Sequence, residues 1–299
     1  YDKEFSPDGP RQWNAEKYWS KMANMAKAIS HFTTPATPKG PAVIGVSEIE
    51  NITVLQDLVK HPLLKEWKLQ IVHHDSPDRR GVDVAMLYNP RFFRVLNVTN
   101  ARVKVEGYDS FRTRDQMCVT GLMGGDKVSV IVNHWPSRSG GEETSRHLRA
   151  AAAHRVKLTV DSLLNDDPNQ GIIIMGDLND DPFNHSCAVV MGAKKTREEV
   201  GEQGFFNTMW QKLDRGIGSL AYQGSWNLFD QIFISEPLMN AKLEDGKWVY
   251  WKSQIFNKPF LTVQEGKDKG TPLRTVKSNV WQDGYADHYP TMIYLIKEK

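Results

Sequence analysis

The residues best suited to chemistry in this sequence follow a run of three isoleucines. Ile172–Ile174 lead into Gly176, and Asp177 and Asn179 come directly after it. Three consecutive β-branched residues are typical of a strand buried on both faces, and glycine allows a sharp turn at its end. Open α/β sheets carry reactive groups beyond the carboxyl ends of such strands. The segment alone fits an ordinary polar turn equally well, so the other strand ends decide.

The same arrangement recurs at four other strand ends. The groups are Glu48 after Val43–Val46, His134 after Val128–Val132, Asp230 at the start of a strand, and Asp287 and His288 before Thr291–Lys297. A single aspartate at a strand end is most often a turn residue, and a single histidine is most often structural. Their recurrence across the chain favours one shared site.

Hydrolysis of a phosphate ester needs these residue types together. A carboxylate such as Glu48 is a hard oxygen ligand for Mg²⁺, which neutralises charge on the phosphoryl oxygens. A second carboxylate must accept a proton from the attacking water, and an amide holds that water in place. An imidazolium can donate to a phosphate oxygen or to the leaving group.

Five motifs, in this order, resemble the endonuclease/exonuclease/phosphatase superfamily, whose members include deoxyribonuclease I and exonuclease III. They are the strand-end glutamate, NHWPSR (133–138), GDLND (176–180), WNLFDQIFIS (226–235) and DHYP (287–290). The resemblance covers residues 41–297. It implies an α/β fold, namely a four-layer α/β sandwich in which two packed mixed β-sheets are flanked by helices. It also implies divalent-metal hydrolysis of phosphodiesters or phosphomonoesters, with Mg²⁺, or else Mn²⁺ or Ca²⁺, as cofactor.

The resemblance also assigns roles to the metal and water groups. Glu48 matches the metal-binding glutamate, and Asp287 matches a metal-site aspartate. Asp177 matches the aspartate that activates the water, and Asn179 matches the asparagine that helps to hold water and phosphate.

The histidines and their partners are assigned in the same way. His288 matches the histidine that contacts phosphate, and Asp230 matches the aspartate that orients it. His134 matches a histidine near the leaving group in deoxyribonuclease-like members, and Asp83 is a weaker candidate to orient it.

Two arginines are candidate phosphate contacts, because a guanidinium fits phosphate oxygens. Arg114 lies in FRTRDQM and Arg138 follows the HWPS turn. Solvated charge at a strand edge explains either residue equally well. His73, His74 and Asp75 do not predict a zinc site, since adjacent strand residues point to opposite faces.

One feature departs from the family pattern. Its members usually begin with a strand that carries a metal-site asparagine, and no such segment precedes Tyr1. The sequence also starts without methionine. We therefore expect one domain over residues 1–299 that lacks its first strand in the chain as given.

The elements that must position these residues follow from periodicity and turn residues. Helices are predicted over 15–30, 52–60 and 143–164, the first with Asn14 as its N-cap. Strands are predicted over 42–46, 68–73, 82–88, 92–98, 117–123, 127–134, 171–176, 229–234 and 291–297. Residues 183–225 and 236–275 are predicted to be irregular.

Composition excludes several classes of protein. The formal net charge is +2 over 299 residues, so no strong field draws the chain to nucleic acid or membrane. Two cysteines, Cys118 and Cys187, are too few for a disulfide scaffold. We find no transmembrane run, no signal peptide and no sign of an obligate protein partner. We expect a soluble protein, exported if a signal peptide was removed before residue 1.

Three functions remain open at the level of sequence. The favoured one is a phosphodiesterase or nuclease-like enzyme. The second is a phosphatase or phospholipase-C-like enzyme acting on a lipid headgroup or sugar phosphate. The third is a catalytically silent member that binds a phosphorylated partner. The substrate is expected to be a nucleic acid, a phospholipid headgroup or a small phosphate.

Overall fold

A computed structural model describes residues 3–298 of the chain. The helices are α1 (Ala15–Ser30), α2 (Ile52–Lys60), α3 (Glu142–Asp166), α4 (Trp210–Asp214) and α5 (Glu236–Asn240). The strands are β1 (Val43–Ile49), β2 (Gln70–His73), β3 (Asp83–Tyr88), β4 (Phe93–Ala101), β5 (Gln116–Met123), β6 (Asp126–His134), β7 (Gly171–Asp177), β8 (Phe205–Asn207), β9 (Leu220–Tyr222), β10 (Ser225–Asn227), β11 (Asp230–Ser235), β12 (Val249–Ile255), β13 (Val276–Lys277), β14 (Val280–Trp281) and β15 (Thr291–Ile296).

Three hydrophobic cores stack these elements into four layers. The first core lies between sheets and joins Met86 of β3, Val130 of β6 and Ile255 of β12. The second packs α3 onto the outer face of the large sheet, where Ile172 and Ile174 of β7 point. The third packs α1 and α2 onto β1–β3. Burial of apolar area in each core stabilises the layers. The predicted α/β sandwich of packed sheets flanked by helices is confirmed.

The large sheet has six strands in the order β4-β5-β6-β7-β11-β8. Only β6 and β7 pair in parallel, because α3 carries the chain back across the sheet between them; the other pairs are antiparallel. Facing it are a three-stranded sheet, β1-β3-β2, and the pair β12-β15. The isoleucine strand β7 is therefore central, which explains its lack of alternation.

Two strand edges in the facing layer have no partner among residues 3–298. Within that range β1 pairs only with β3, and β15 pairs only with β12. Their side chains are mostly half-buried, in contrast with the buried β3. The expectation of a further strand before Tyr1 stays a prediction.

The helix starts follow from their capping residues. The Asn14 side chain accepts a hydrogen bond from the Lys17 N–H at 3.0 Å, as predicted, and Asn51 accepts from the Thr53 N–H at 2.9 Å. Each side chain satisfies a backbone donor that the first turn leaves unpaired. None of the helices within residues 3–298 combines the length and apolar character needed to span a membrane. Both cysteines are buried free thiols.

The prediction of irregular structure over 236–275 was wrong for β12. The register of β12 against β15 shifts between Tyr250 and Lys252, which marks a bulge. A bulge breaks the period-2 alternation by which a strand is recognised. The region 183–225 likewise contains the short elements β8, α4, β9 and β10.

Gly176 is required by the path of β7. Its φ is +139°, and a Cβ there would lie 1.9 Å from the backbone oxygen of Asn133 on β6. We expect Gly176→Ala to lower the free energy of unfolding by at least about 2 kcal/mol, since neither backbone can yield without breaking the pairing. Urea denaturation measures this.

The matched control is Gly201→Ala, where a Cβ meets no atom within 4 Å. This variant should stay within about 0.5 kcal/mol of the wild type. Equal effects of the two substitutions would contradict the steric account.

Candidate active site

Three strand-end residues stand in one row across the large sheet. In the strand register, His134 of β6 pairs with Asp177 of β7, and Asp177 pairs with Asp230 of β11. Residues paired in this way project on the same face. Alternation from Ile173 and Met175 places Asp177 on the side of the core between the sheets. The row therefore lies at the end of that core.

The turn after Gly176 fixes the Asp177 carboxylate. The N–H of Asn179 donates to Asp177 Oδ1 at 2.9 Å, and the Asn179 side chain donates to the backbone oxygen of Trp135 at 2.9 Å. Asn179 adopts φ +50°, a conformation that asparagine tolerates better than most residues. Oδ1 is thus engaged, and Oδ2 faces the two histidines.

His288 binds the row from the opposite layer. Its Nδ1 lies 2.9 Å from Asp230 Oδ2 and 3.9 Å from Asp177 Oδ2. Burial opposes a charge on this ring, but the negative charge and hydrogen bond of Asp230, with Asp177 and Asp287, raise the pKa of His288 well above its usual value. Ser219 donates to the same Asp230 oxygen. His288 is therefore an imidazolium at neutral pH.

His134 has the opposite charge state. Burial, with the positive charges of Arg114, His288 and Arg80, lowers the pKa of His134 well below its usual value, so the ring is neutral. Its Nε2 lies 3.7 Å from Asp177 Oδ2. Its buried Nδ1 has no hydrogen-bond partner among residues 3–298.

The structure does not bring Asp83 to His134, which was its expected partner. Asp83 Oδ2 lies 3.0 Å from His73 Nε2, and Oδ1 accepts from the backbone N–H of Ser76 at 2.7 Å. Asp83 therefore holds the end of β2 and the following turn.

The charge on Asp177 is balanced close to neutrality. Burial raises the pKa of Asp177 to about 7, with Asp230 and Glu48 acting in the same direction and His288 in the opposite one. A carboxylate with such a pKa can accept a proton at neutral pH and remain protonated after doing so.

Glu48 occupies a bulge at the end of β1. The register against β3 skips from Ser47 to Ile49, and Glu48 has φ +59°. The bulge turns the Glu48 carboxylate out of the strand's alternation, and Arg80 Nη1 meets it at 3.1 Å.

Asp287 supplies a second carboxylate near Glu48. Burial favours its neutral form, but the charges of His288 and Arg274 lower the pKa of Asp287, so it is ionised. The ammonium of Lys21 senses both Glu48 and Asp287. Two ionised or exposed carboxylates, with cations drawn to them, fit the oxygen donor set that Mg²⁺, Mn²⁺ or Ca²⁺ takes.

Helix α1 holds the turn that precedes Asp287. Lys21 Nζ donates to the Thr275 hydroxyl at 2.8 Å and to the backbone oxygen of Tyr285. Asn24 donates to the backbone oxygen of Asp283 at 2.9 Å. Burial lowers the pKa of Lys21 to about 8.

The two arginines predicted to contact phosphate make internal bonds. Arg114 is buried, and it donates to the backbone oxygens of His134 and Trp135 and to Asp78. Arg138 donates to the backbone oxygen of Asn179 at 2.9 Å and reaches Asp181. Either one must give up a bond to reach a substrate, so both support the site from behind.

A second group of potential metal ligands lies at the start of β3. Ligand atoms of His73, Asp75 and Asp83 lie within 4.8 Å of one another. Asp83 already bonds to His73 and Ser76, and Asp75 is largely exposed.

Sequence reasoning missed Arg80, Lys21 and Ser219. Each is brought to the site by tertiary packing, from a turn, a helix and a loop respectively. No motif spacing marks them, so only the fold could find them.

Comparison with known proteins identifies relatives of the whole chain. A family model described as "Endonuclease/Exonuclease/phosphatase family" matches residues 1–297. No curated protein matches the sequence.

Solved structures show the same fold at low identity. Humanized TDP2 of D. rerio is 11% identical with a TM-score of 0.56, over 95% of this chain and 94% of that one. A mannosyl-6-phosphatase of Bacteroides thetaiotaomicron is 14% identical with a TM-score of 0.58, over 93% and 91%. The human Nocturnin catalytic domain with bound sulfate is 13% identical with a TM-score of 0.54, over 94% and 88%.

The charge on His288 depends on its partner. We expect Asp230→Asn to lower the pKa of His288 by about one to three units, because it removes the adjacent negative charge. NMR titration of the His288 Cε1–H in the metal-free protein measures this. The raised pKa stabilises the fold fully below the unfolded histidine's pKa of about 6.5, and this stabilisation is lost as pH rises through the folded value.

Asp161→Asn on the exposed face of α3 is the matched control, since Asp161 pairs there only with Lys157 in the ion pairs seen. It should leave the titration of His288 unchanged. A His288 pKa near 6.5 in the wild type would contradict the assigned charge state.

Proposed function

Because the chain belongs to the endonuclease/exonuclease/phosphatase family, we propose that it is a divalent-metal-dependent phosphoesterase, and specifically a phosphodiesterase or nuclease-like enzyme. The observation that carries the proposal is the cluster of Asp177 with two imidazoles of opposite charge, His288 and His134, beside the carboxylate of Glu48. A structural turn has no need of this charge arrangement.

Asp177 is the proposed base. Its Oδ1 is held by the Asn179 N–H, so Oδ2 is the oxygen that accepts a proton from water as the water attacks phosphorus. The pKa of about 7 suits this transfer at neutral pH. Asn179, adjacent in the turn, is the amide proposed to hold water and phosphate.

His288 is the proposed electrostatic partner of the phosphate. Asp230 takes its Nδ1, which leaves the Nε2–H of a charged ring to donate to a phosphoryl oxygen. A donor already charged and oriented needs little reorganisation as negative charge builds in the transition state. His134, being neutral, contributes a hydrogen bond rather than a charge, and the family resemblance places it at the leaving group.

Glu48 and Asp287 are the proposed ligands of the metal. Their carboxylates suit a hard cation such as Mg²⁺, which keeps several waters and needs few protein ligands. When bound, the cation would offset charge on the phosphoryl oxygens.

Removing the base or the imidazolium should remove activity while leaving the fold intact. We expect Asp177→Asn and His288→Ala each to lower kcat by roughly 10²- to 10⁴-fold. The assay is hydrolysis of bis-p-nitrophenyl phosphate with Mg²⁺ or Mn²⁺, and EDTA should abolish the wild-type rate.

Asp161→Asn again serves as the matched control and should retain the wild-type rate. Circular dichroism checks that each variant is folded. Rates close to wild type in either site variant would refute the assigned roles.

A substrate panel decides between the enzyme classes. Plasmid DNA and bis-p-nitrophenyl phosphate test the diesterase, sphingomyelin tests a phospholipase-C-like activity, and inositol phosphates test a phosphatase. Hydrolysis of monoesters alone would replace the diesterase proposal by the phosphatase. Binding without hydrolysis of any substrate would favour a silent phosphate-binding protein.

A further inference from the structure

Arg80 stands between the metal-site carboxylate and the catalytic row. Its Nη1 lies 3.1 Å from Glu48 Oε1. Its charge also acts on the ring of His134, whose pKa it helps to lower. Arg80 is therefore within electrostatic range of both halves of the site, which belong to different sheets.

The turn that carries Arg80 is held on both sides. The Asp78 carboxylate accepts from the backbone N–H of Arg80 at 2.9 Å and from Arg114 Nη1 at 3.2 Å. Both Asp78 and Arg114 are buried there. Arg114 in turn holds the backbone of His134. The position of the Arg80 backbone is thus tied to the strand that carries His134.

The side chain, in contrast, is not buried. About half of the Arg80 and Glu48 side chains is accessible, at 47% and 53%. An ion pair that solvent reaches is weak, because water screens it. Its partners exchange readily for a stronger ligand on either side.

We propose that Arg80 binds the phosphoryl group of the substrate, and that it is held on Glu48 until a divalent cation takes that carboxylate. The inference rests on the proposed function and adds a phosphate-binding residue to it. The guanidinium matches two phosphate oxygens with parallel N–H donors, as it matches a carboxylate. Arg114 and Arg138, by comparison, spend their donors on the protein itself.

The exchange has a definite electrostatic sense. Without a cation, Glu48 needs a positive partner and Arg80 supplies it. A cation on Glu48 satisfies the carboxylate and repels Arg80. A phosphate at the cation then offers Arg80 a new anionic partner a short distance away, while the turn held by Asp78 stays in place.

Two measurements on Arg80→Ala separate this role from a structural one. We expect the KM for bis-p-nitrophenyl phosphate to rise about 10- to 100-fold, the worth of a hydrogen bond to a charged group. Independently of activity, isothermal titration with Mn²⁺ alone should show affinity about two- to fivefold tighter than wild type, since a competitor for Glu48 is gone. Binding of inorganic phosphate to the Mn²⁺-loaded protein should weaken.

The neighbouring arginine provides a matched control. Arg79 is exposed and donates to the backbone oxygen of Ser110 at 3.1 Å. Arg79→Ala removes the same charge from the same turn, and KM and both affinities should stay within about twofold of wild type, as for other screened surface charges. Arg80→Lys should recover the wild-type Mn²⁺ affinity but only part of the phosphate affinity, because it keeps the charge without the paired donors.

The outcomes are distinct from those that test the proposed function. A wild-type protein that hydrolyses esters while Arg80→Ala keeps its KM and phosphate affinity overturns the role of Arg80 alone. A wild-type protein that binds Mn²⁺ and phosphate but hydrolyses nothing overturns the proposed function, and the binding changes in Arg80→Ala then still support this inference. Weaker Mn²⁺ binding by Arg80→Ala, or no phosphate binding by the Mn²⁺-loaded wild type, overturns it.

Discussion

The register between β6, β7 and β11 is the constraint on which the rest of the site depends. It sets His134, Asp177 and Asp230 side by side, and the pleat sends all three side chains toward the core between the sheets. A slip of one residue would turn Asp177 toward the apolar layer under α3. Burial of an ionised carboxylate there would have no compensating partner. The buried isoleucines that lock β7 into register thereby also position the chemistry.

The charges of the site then follow from their neighbours. Asp230 keeps His288 protonated, and burial beside His288 and Arg114 keeps His134 neutral. Asp177 lies between the two rings, with its pKa near 7. Two imidazoles with the same intrinsic chemistry thus hold different charges about one carboxylate, and groups whose environments separate their pKa values are typical of active sites.

The sequence predicted the long helices and the buried strands well, because their periodicity is strong and their caps, such as Asn14, are local. It missed β12, where a bulge at Tyr250 disrupts alternation. It named the strand-end groups, since each follows or precedes a recognisable strand. It placed Arg114 among the phosphate contacts, whereas the fold turns that side chain inward onto the backbone of His134. An arginine's reach spans several directions, and only packing selects one.

The sequence by itself determined the family, the layered α/β architecture and the identity of the acids, amide and histidines at the strand ends. These depend on local pattern and on the order of motifs along the chain. Tertiary structure alone decided which atoms meet. It set the bulge that turns out Glu48, the bond from Asp83 to His73 in place of His134, and the arrival of Arg80 and Lys21 from a turn and a helix. Contacts between residues distant in sequence leave no periodic trace, because they arise only when the sheets and helices pack.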